Sequence, residues 1–192
     1  VDRYGLRECY VFSSDYPHVE GGRNPVPVFA AAADRVAASL AALRPEAAPR
    51  FARRARAYQA TLAGLDGLYT RRLARCDRRV VVTAHSAFSY LAARYDLRQE
   101  AVTGISPEAE PESDRLDALA AIVGREKVTT VFTEPATSPR VARTLARETG
   151  ARVETLSPLE TLTAAQRAAG DDYVSVMRAN LDRLTTALGC QA

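Results

Sequence analysis

Apolar side chains recur at alternating steps of four and three through Phe51, Ala55, Tyr58, Leu62, Leu65, Tyr69, Leu73 and Cys76. That spacing puts them on one face of a helix about seven turns long. Ahead of it, the alanine-rich stretch from Phe29 to Leu43 predicts another helix, with Pro45 and Pro49 bracketing the turn between the two. After Cys76 the period changes. "RRVVVTAH" is a short β-branched run of the kind buried on both faces of a parallel sheet, and "SAFSYLAARYDL" returns to helical spacing through Phe88, Leu91 and Tyr95. The alternation continues: "QEAVTGI" precedes a proline-rich loop and "SDRLDALAAIVGRE", "KVTTVFTEP" precedes "SPRVARTLARETG", and "ARVETLS" precedes a loop and "DDYVSVMRANLDRLTTALG". Four strand–helix units in succession predict an α/β fold, a four-stranded parallel sheet with helices on both faces, preceded by the long helix. Residues 1–28, rich in Gly, Pro, Asp and Ser, hold one strand-like run, "ECYVF", and end in "GGRNPVP", which reads as loop. The chain therefore divides into a leader (1–28), a helical segment (29–76) and a C-terminal α/β lobe (77–192).

Composition narrows the picture. At 47% hydrophobic and 26% charged, the 192-residue chain is rich enough in apolar side chains to bury a core, which excludes disorder as its main state. Its net charge of +3 is spread along the chain, so no nucleic-acid partner is expected. The arginine-rich run "RFARRARAY" (50–58) reads as the solvated face of the long helix. No apolar run reaches the roughly 18–20 residues of a membrane span, and the first residues carry no signal segment. Cys9, Cys76 and Cys190 are too far apart for a local zinc clip. A bridge from Cys76, at the end of the long helix, to Cys190 would tie down the C-terminus and imply an oxidising compartment; three idle thiols are the other reading.

In open parallel sheets, ligands bind outside the carboxyl ends of the strands. Those ends carry His85 in "TAHS", Glu108 and Glu110 in "GISPEAEP", Glu134 in "TEPATSP", and Ser157 and Glu160 in "LSPLE". One imidazole and several carboxylates are thus expected on one open rim. Glu108 and Glu110 precede a helix, where acidic residues suit the positive end of its dipole, and Glu134 reads as a helix cap, an arginine partner or a supplementary metal ligand. No phosphate loop and no dinucleotide fingerprint occurs, so a nucleotide cofactor is not expected. The absence of a G-x-S-x-G elbow leaves a serine hydrolase without support.

From about Phe29 onward, a series of segments resembles the C-terminal half of the metal-binding solute receptors of ABC transporters, the zinc and manganese class related to ZnuA. The segments, in order, are "LARCDRR", "VVVTAHSAFSYLAARYDL", "GISPEAEPESDRLDAL", "VTTVFTEPATSPRVARTLARETG", "LSPLE" and "DDYVSVMRANLDRLTTAL". The resemblance implies one lobe of a two-lobed, periplasmic-type protein, with the stripe ending at Cys76 as the connecting helix or its close partner. It implies His85 as a metal ligand, zinc or manganese as transported cargo, a membrane permease as partner, an extracytoplasmic location and no catalysis. His18, in "DYPHVEGG", lies where the family carries a second ligand histidine. Two departures stand out: the family's N-terminal lobe is missing, which another chain could supply, and Ser157 stands where the family normally has an aspartate ligand. "RECYVFSSDYPHVEGGRNP" resembles instead a late strand of metal-dependent amidohydrolases, which would make Asp15 catalytic beside His18. A hydrolase built on Asp15 and His18, or a folded fragment without function, are the alternatives.

Overall fold

The computed structural model describes residues 25–103, 113–135, 138–159 and 161–191. Two helices come first, α1 (Pro25–Leu43) and α2 (Ala48–Arg72), joined through a single 3-10 turn at Pro45–Ala47. Helix α1 begins at Pro25, inside the stretch read from sequence as loop. Prolines in a first helical turn give up no intrahelical hydrogen bond, so "PVP" starts this helix where it would break one further along. Then follow β1 (Val80–Thr83), α3 (Ser89–Arg94), β2 (Arg98–Ala101), α4 (Ser113–Arg125), β3 (Thr130–Thr133), α5 (Arg140–Thr149), β4 (Arg152–Thr155), α6 (Ala164–Ala169) and α7 (Tyr173–Leu188). The short α6 also lies in a segment read as loop. Thr163 and Gln166 close a capping box at its start, and Gly170 ends it in the left-handed region.

All four strands are parallel, in the order β2-β1-β3-β4. Strands β1 and β3 are central and wholly buried. Because side chains alternate across a strand, each central strand feeds two cores. Val81 and Phe132 join Leu65 and Tyr69 of α2, Leu73 at its C-terminal cap, Leu91 of α3, and Leu181, Leu184 and Leu188 of α7 on one face. Val80, Val82 and Val131 join Leu119 and Val123 of α4 and Ala142 and Leu145 of α5 on the other. Helices therefore cover both faces, as expected.

The apolar stripe of α2 is buried only in its second half: Leu65, Tyr69 and Leu73 are buried, whereas Tyr58 is exposed. Arg50, Arg53, Arg54 and Arg56 are exposed, as a solvated face requires. The lower end of α2 is fastened to α7 and α3. The Tyr69 hydroxyl donates to the Met177 carbonyl at 2.7 Å, and Arg72 reaches Asp182 at 2.5 Å. Asp66 accepts both guanidinium arms of Arg94, at 3.0 and 2.8 Å, and the Tyr95 hydroxyl at 2.9 Å. The Arg94 hydrogen bonds hold the Asp66 carboxyl below the usual range, against an opposing push from burial and with help from Tyr95. A carboxylate with a lowered folded-state pKa adds stability that is fully present above about pH 4 and is lost as pH falls through the lowered value. Asp66→Asn should therefore cost about 0.5–1 kcal/mol at neutral pH and nothing near pH 2, as read by urea unfolding, since this is a partly exposed pair.

Cys76 and Cys190 form a disulfide, 114 residues apart in sequence. Around it, Arg78 N–H donates to the Leu188 carbonyl at 3.1 Å and Gln191 N–H to the Arg75 carbonyl at 2.9 Å. The bridge thus joins the exit of α2 to the end of α7. Gly189, at φ 67°, ends α7 where an added Cβ would meet Asp77 Oδ2 at 2.7 Å and Arg78 Nη2 at 2.6 Å. Closing so long a loop restricts the unfolded chain strongly, and reduction of the bridge should lower unfolding stability by about 2–5 kcal/mol without changing the helical circular dichroism. Thermal melts with and without reductant check this. Cys9 lies outside the described residues.

Candidate metal centre

The strand order brings the chemistry together. The chain leaves β1 toward β2 on one side and returns to β3 on the other, so the carboxyl ends of β1 and β3 flank the topological switch point, where open parallel sheets bind ligands. His85 lies two residues past β1, and Glu134 immediately follows β3. His85 Nδ1 meets Glu134 Oε1 in a short hydrogen bond between positions 49 apart in sequence. Read as an Nδ1–H donating to the carboxylate, this bond fixes the ring's orientation and places the lone pair on Nε2.

Two polar side chains hold the turn that carries the imidazole. The Thr83 hydroxyl donates to the His85 carbonyl at 2.7 Å, and the Gln99 amide donates to the Thr83 hydroxyl at 2.7 Å and to the same carbonyl at 2.9 Å. Ala84 N–H donates to the Phe132 carbonyl at 2.9 Å, and the Ala84 carbonyl accepts from Thr103 N–H at 2.9 Å. The residue beside His85 is thereby tied to β3 and to the segment just past β2.

His85 is 1% exposed and Glu134 4%. The open rim expected from sequence is thus a buried pair. A carboxylate at that depth costs several kcal/mol unless hydrogen-bonded charge or dipoles face it, and the imidazole supplies part of that compensation. Among the side-chain contacts of the described residues, Glu134 meets the His85 ring, a partner that its reading from sequence did not include.

Ser157 is also buried, but its part is structural. Its N–H donates to Asn180 Oδ1 at 3.0 Å, its carbonyl accepts from Asn180 Nδ2 at 2.8 Å, and its hydroxyl accepts from Leu159 N–H at 3.2 Å. Asn180 is fully buried on α7 and pins the loop after β4 to that helix. Asn180→Ala would leave both backbone groups of Ser157 without these partners and should cost about 2–4 kcal/mol in urea unfolding, the sum of two buried hydrogen bonds. Sequence reasoning missed Asn180, Thr83 and Gln99. For Asn180 a signal existed: it occupies a core position on the stripe formed by Val176, Leu184 and Ala187.

His18, Asp15, Glu108, Glu110 and Glu160 lie outside the described residues. Among the described residues no group of three or more His, Cys, Asp or Glu side chains could hold a metal ion. The described part of the site is therefore one oriented imidazole and its carboxylate.

Fold and site together define a doubly wound α/β lobe with a histidine–carboxylate pair at its switch point, led by a long helix. The chain belongs to the ZnuA family, zinc-uptake complex component A, periplasmic, whose profile matches residues 26–187. Asp15 and His18 fall before that match, which lends the amidohydrolase resemblance no support. The zinc-binding lipoprotein AdcA of Streptococcus pneumoniae serotype 4 is 40% identical over 146 residues, covering 76% of this chain and 29% of that protein. The high-affinity zinc uptake system protein ZnuA of Bacillus subtilis is 33% identical over 153 residues, 80% of this chain and 48% of that protein. Among solved structures, the Zn(II)-bound ZnuA-like domain of Streptococcus pneumoniae AdcA matches with TM-score 0.70 and 36% identity, covering 85% of this chain and 61% of that one. The laminin-binding protein Lmb of Streptococcus agalactiae, described as having adhesin and metal-transporting activity, matches with TM-score 0.75 and 35% identity, covering 86% and 63%. The chain thus spans between about a third and a half of these curated relatives' length.

Proposed function

We propose that this chain is part of the extracytoplasmic solute-binding component of a zinc or manganese ABC transporter, and that His85 is a ligand to the carried ion. The observation that carries the reading is the His85 Nδ1 bond to Glu134 at the switch point of the sheet. A metal-ligating histidine donates its other ring N–H to such an outer partner, which fixes its tautomer and raises the basicity of the ligating nitrogen. Glu134 takes that outer role here. Imidazole ligation favours zinc over manganese, which prefers oxygen donors.

Capture and release would then need no covalent chemistry. A pre-oriented imidazole gives up little rotational freedom on binding, and the buried surroundings strengthen its bond to a cation. His18 is the proposed second ligand from the chain, and the lobe that the relatives possess beyond this chain's span, or another chain, would complete the tetrahedral set zinc prefers. The membrane permease is the proposed partner, consistent with a periplasmic family and lipoprotein relatives. No helix among the described residues is long and apolar enough to cross a membrane.

Competition titration with a chromogenic zinc chelator tests this reading. One equivalent of zinc should be taken up in the presence of excess magnesium, and manganese should compete weakly. Zinc uptake no greater than that of a protein without this site would refute it.

A further inference from the structure

Among the described residues the sheet ends in an unpaired edge beside a row of arginines. Strand β4 is terminal, and no strand among the described residues pairs with its outer side. Arg152 N–H donates to the Thr129 carbonyl at 2.9 Å and Leu156 N–H to the Thr133 carbonyl at 2.8 Å, so this alternate set faces β3. In a parallel ladder the intervening residues, Val153 and Thr155, direct their backbone groups outward. Next to that edge runs a groove of about 730 Å³ between β4 and α5, lined by Ala151 and Val153 on the strand side and by Arg140, Arg143 and Arg147 on the helix. The arginines stand three and four apart, hence on one face of α5.

These guanidinium groups differ from others in the molecule. Arg72, Arg79, Arg94, Arg98 and Arg115 each meet an aspartate or glutamate. Among the described residues Arg140, Arg143 and Arg147 meet none, and Arg147 reaches only the Thr144 hydroxyl, at 3.4 Å within its own helix. Neither Glu148 nor Glu154 lines the groove. Three like charges on one helix face repel each other, a cost that an anionic occupant would remove.

We propose that the groove between α5 and the open edge of β4 is a docking site for an extended acidic segment of a partner protein. Such a segment would add to the sheet as a further strand, exchanging backbone hydrogen bonds with Val153 and Thr155. Every second side chain, a carboxylate, would then face an arginine of α5. A groove floored by a strand edge offers backbone partners that an anionic membrane surface cannot use, which favours the peptide.

The test uses the full chain and a fluorescein-labelled peptide of alternating valine and glutamate, read by fluorescence anisotropy. Binding should weaken by at least about tenfold in the Arg140→Glu, Arg143→Glu, Arg147→Glu triple variant, and by a similar factor when every peptide amide is N-methylated. These arginines line an open groove, so the variant should keep the wild-type melting temperature and zinc uptake, which separates this site from the metal centre. Absence of binding by the wild type overturns the proposal. So does equal binding of the N-methylated peptide, or arginine-dependent binding to phosphatidylglycerol vesicles with none to the peptide.

Discussion

His85→Ala should lower zinc affinity by about 100-fold or more, because it removes the one imidazole that the described structure presents at the switch point. The same substitution strands a carboxylate that is 4% exposed, so unfolding stability should fall as well, by about 3–5 kcal/mol for a broken buried pair. The two losses must be separated. His85→Asn does so: its Nδ2 amide stands where Nδ1 does and can donate to Glu134, yet it makes a poor zinc ligand. Chelator competition and urea unfolding on both variants should show zinc binding lost in each and stability largely recovered in the asparagine form. Strong zinc binding by either variant would move the site elsewhere in the chain.

Glu134→Gln is the second large effect. The amide oxygen can still accept from Nδ1–H, so the ring keeps its orientation, but the charge that raises ligand basicity is gone. Removal of an outer partner of this kind typically costs 10–100-fold in metal affinity, and the loss here should be about tenfold, with Glu134→Ala nearer 100-fold because orientation is lost too. Isothermal titration of zinc into each variant reads the difference. An unchanged affinity in Glu134→Ala would show that the carboxylate serves the fold alone.

The four strands were legible because β-branched runs of four to eight residues, each followed by a helical period, leave few other readings. The disulfide was half legible: Cys76 at a helix exit and Cys190 at the chain's end suggested a tie, but only the approach of α2 to α7 shows that they meet. His85 was locatable because a strand end in a parallel sheet is where chemistry gathers. Its burial was not, since burial sums contributions from distant elements that no local period records. Glu134 illustrates the same limit. Its bond to His85 requires β3 to lie beside β1 with β2 on the far side, and strand order is not written in any single segment. Helix α1 was misplaced at its start because proline was read only as a breaker, when in a first turn it is compatible with helix.

The metal reading and the groove reading stand on different sides of the sheet's architecture. One uses the strand ends at the switch point, the other the lateral edge of β4, and neither shares a residue with the other. Damage to one should therefore leave the other measurable, which is why zinc uptake serves as the control for the arginine variants.

Long-range proton–nitrogen NMR correlation of the His85 ring, recorded before and after one equivalent of zinc, tests the central claim most directly. The account predicts an Nδ1–H tautomer in the metal-free protein and a large shift confined to Nε2 when zinc is added. A ring protonated at Nε2 with Nδ1 accepting, or a His85 spectrum unmoved by zinc, would contradict it.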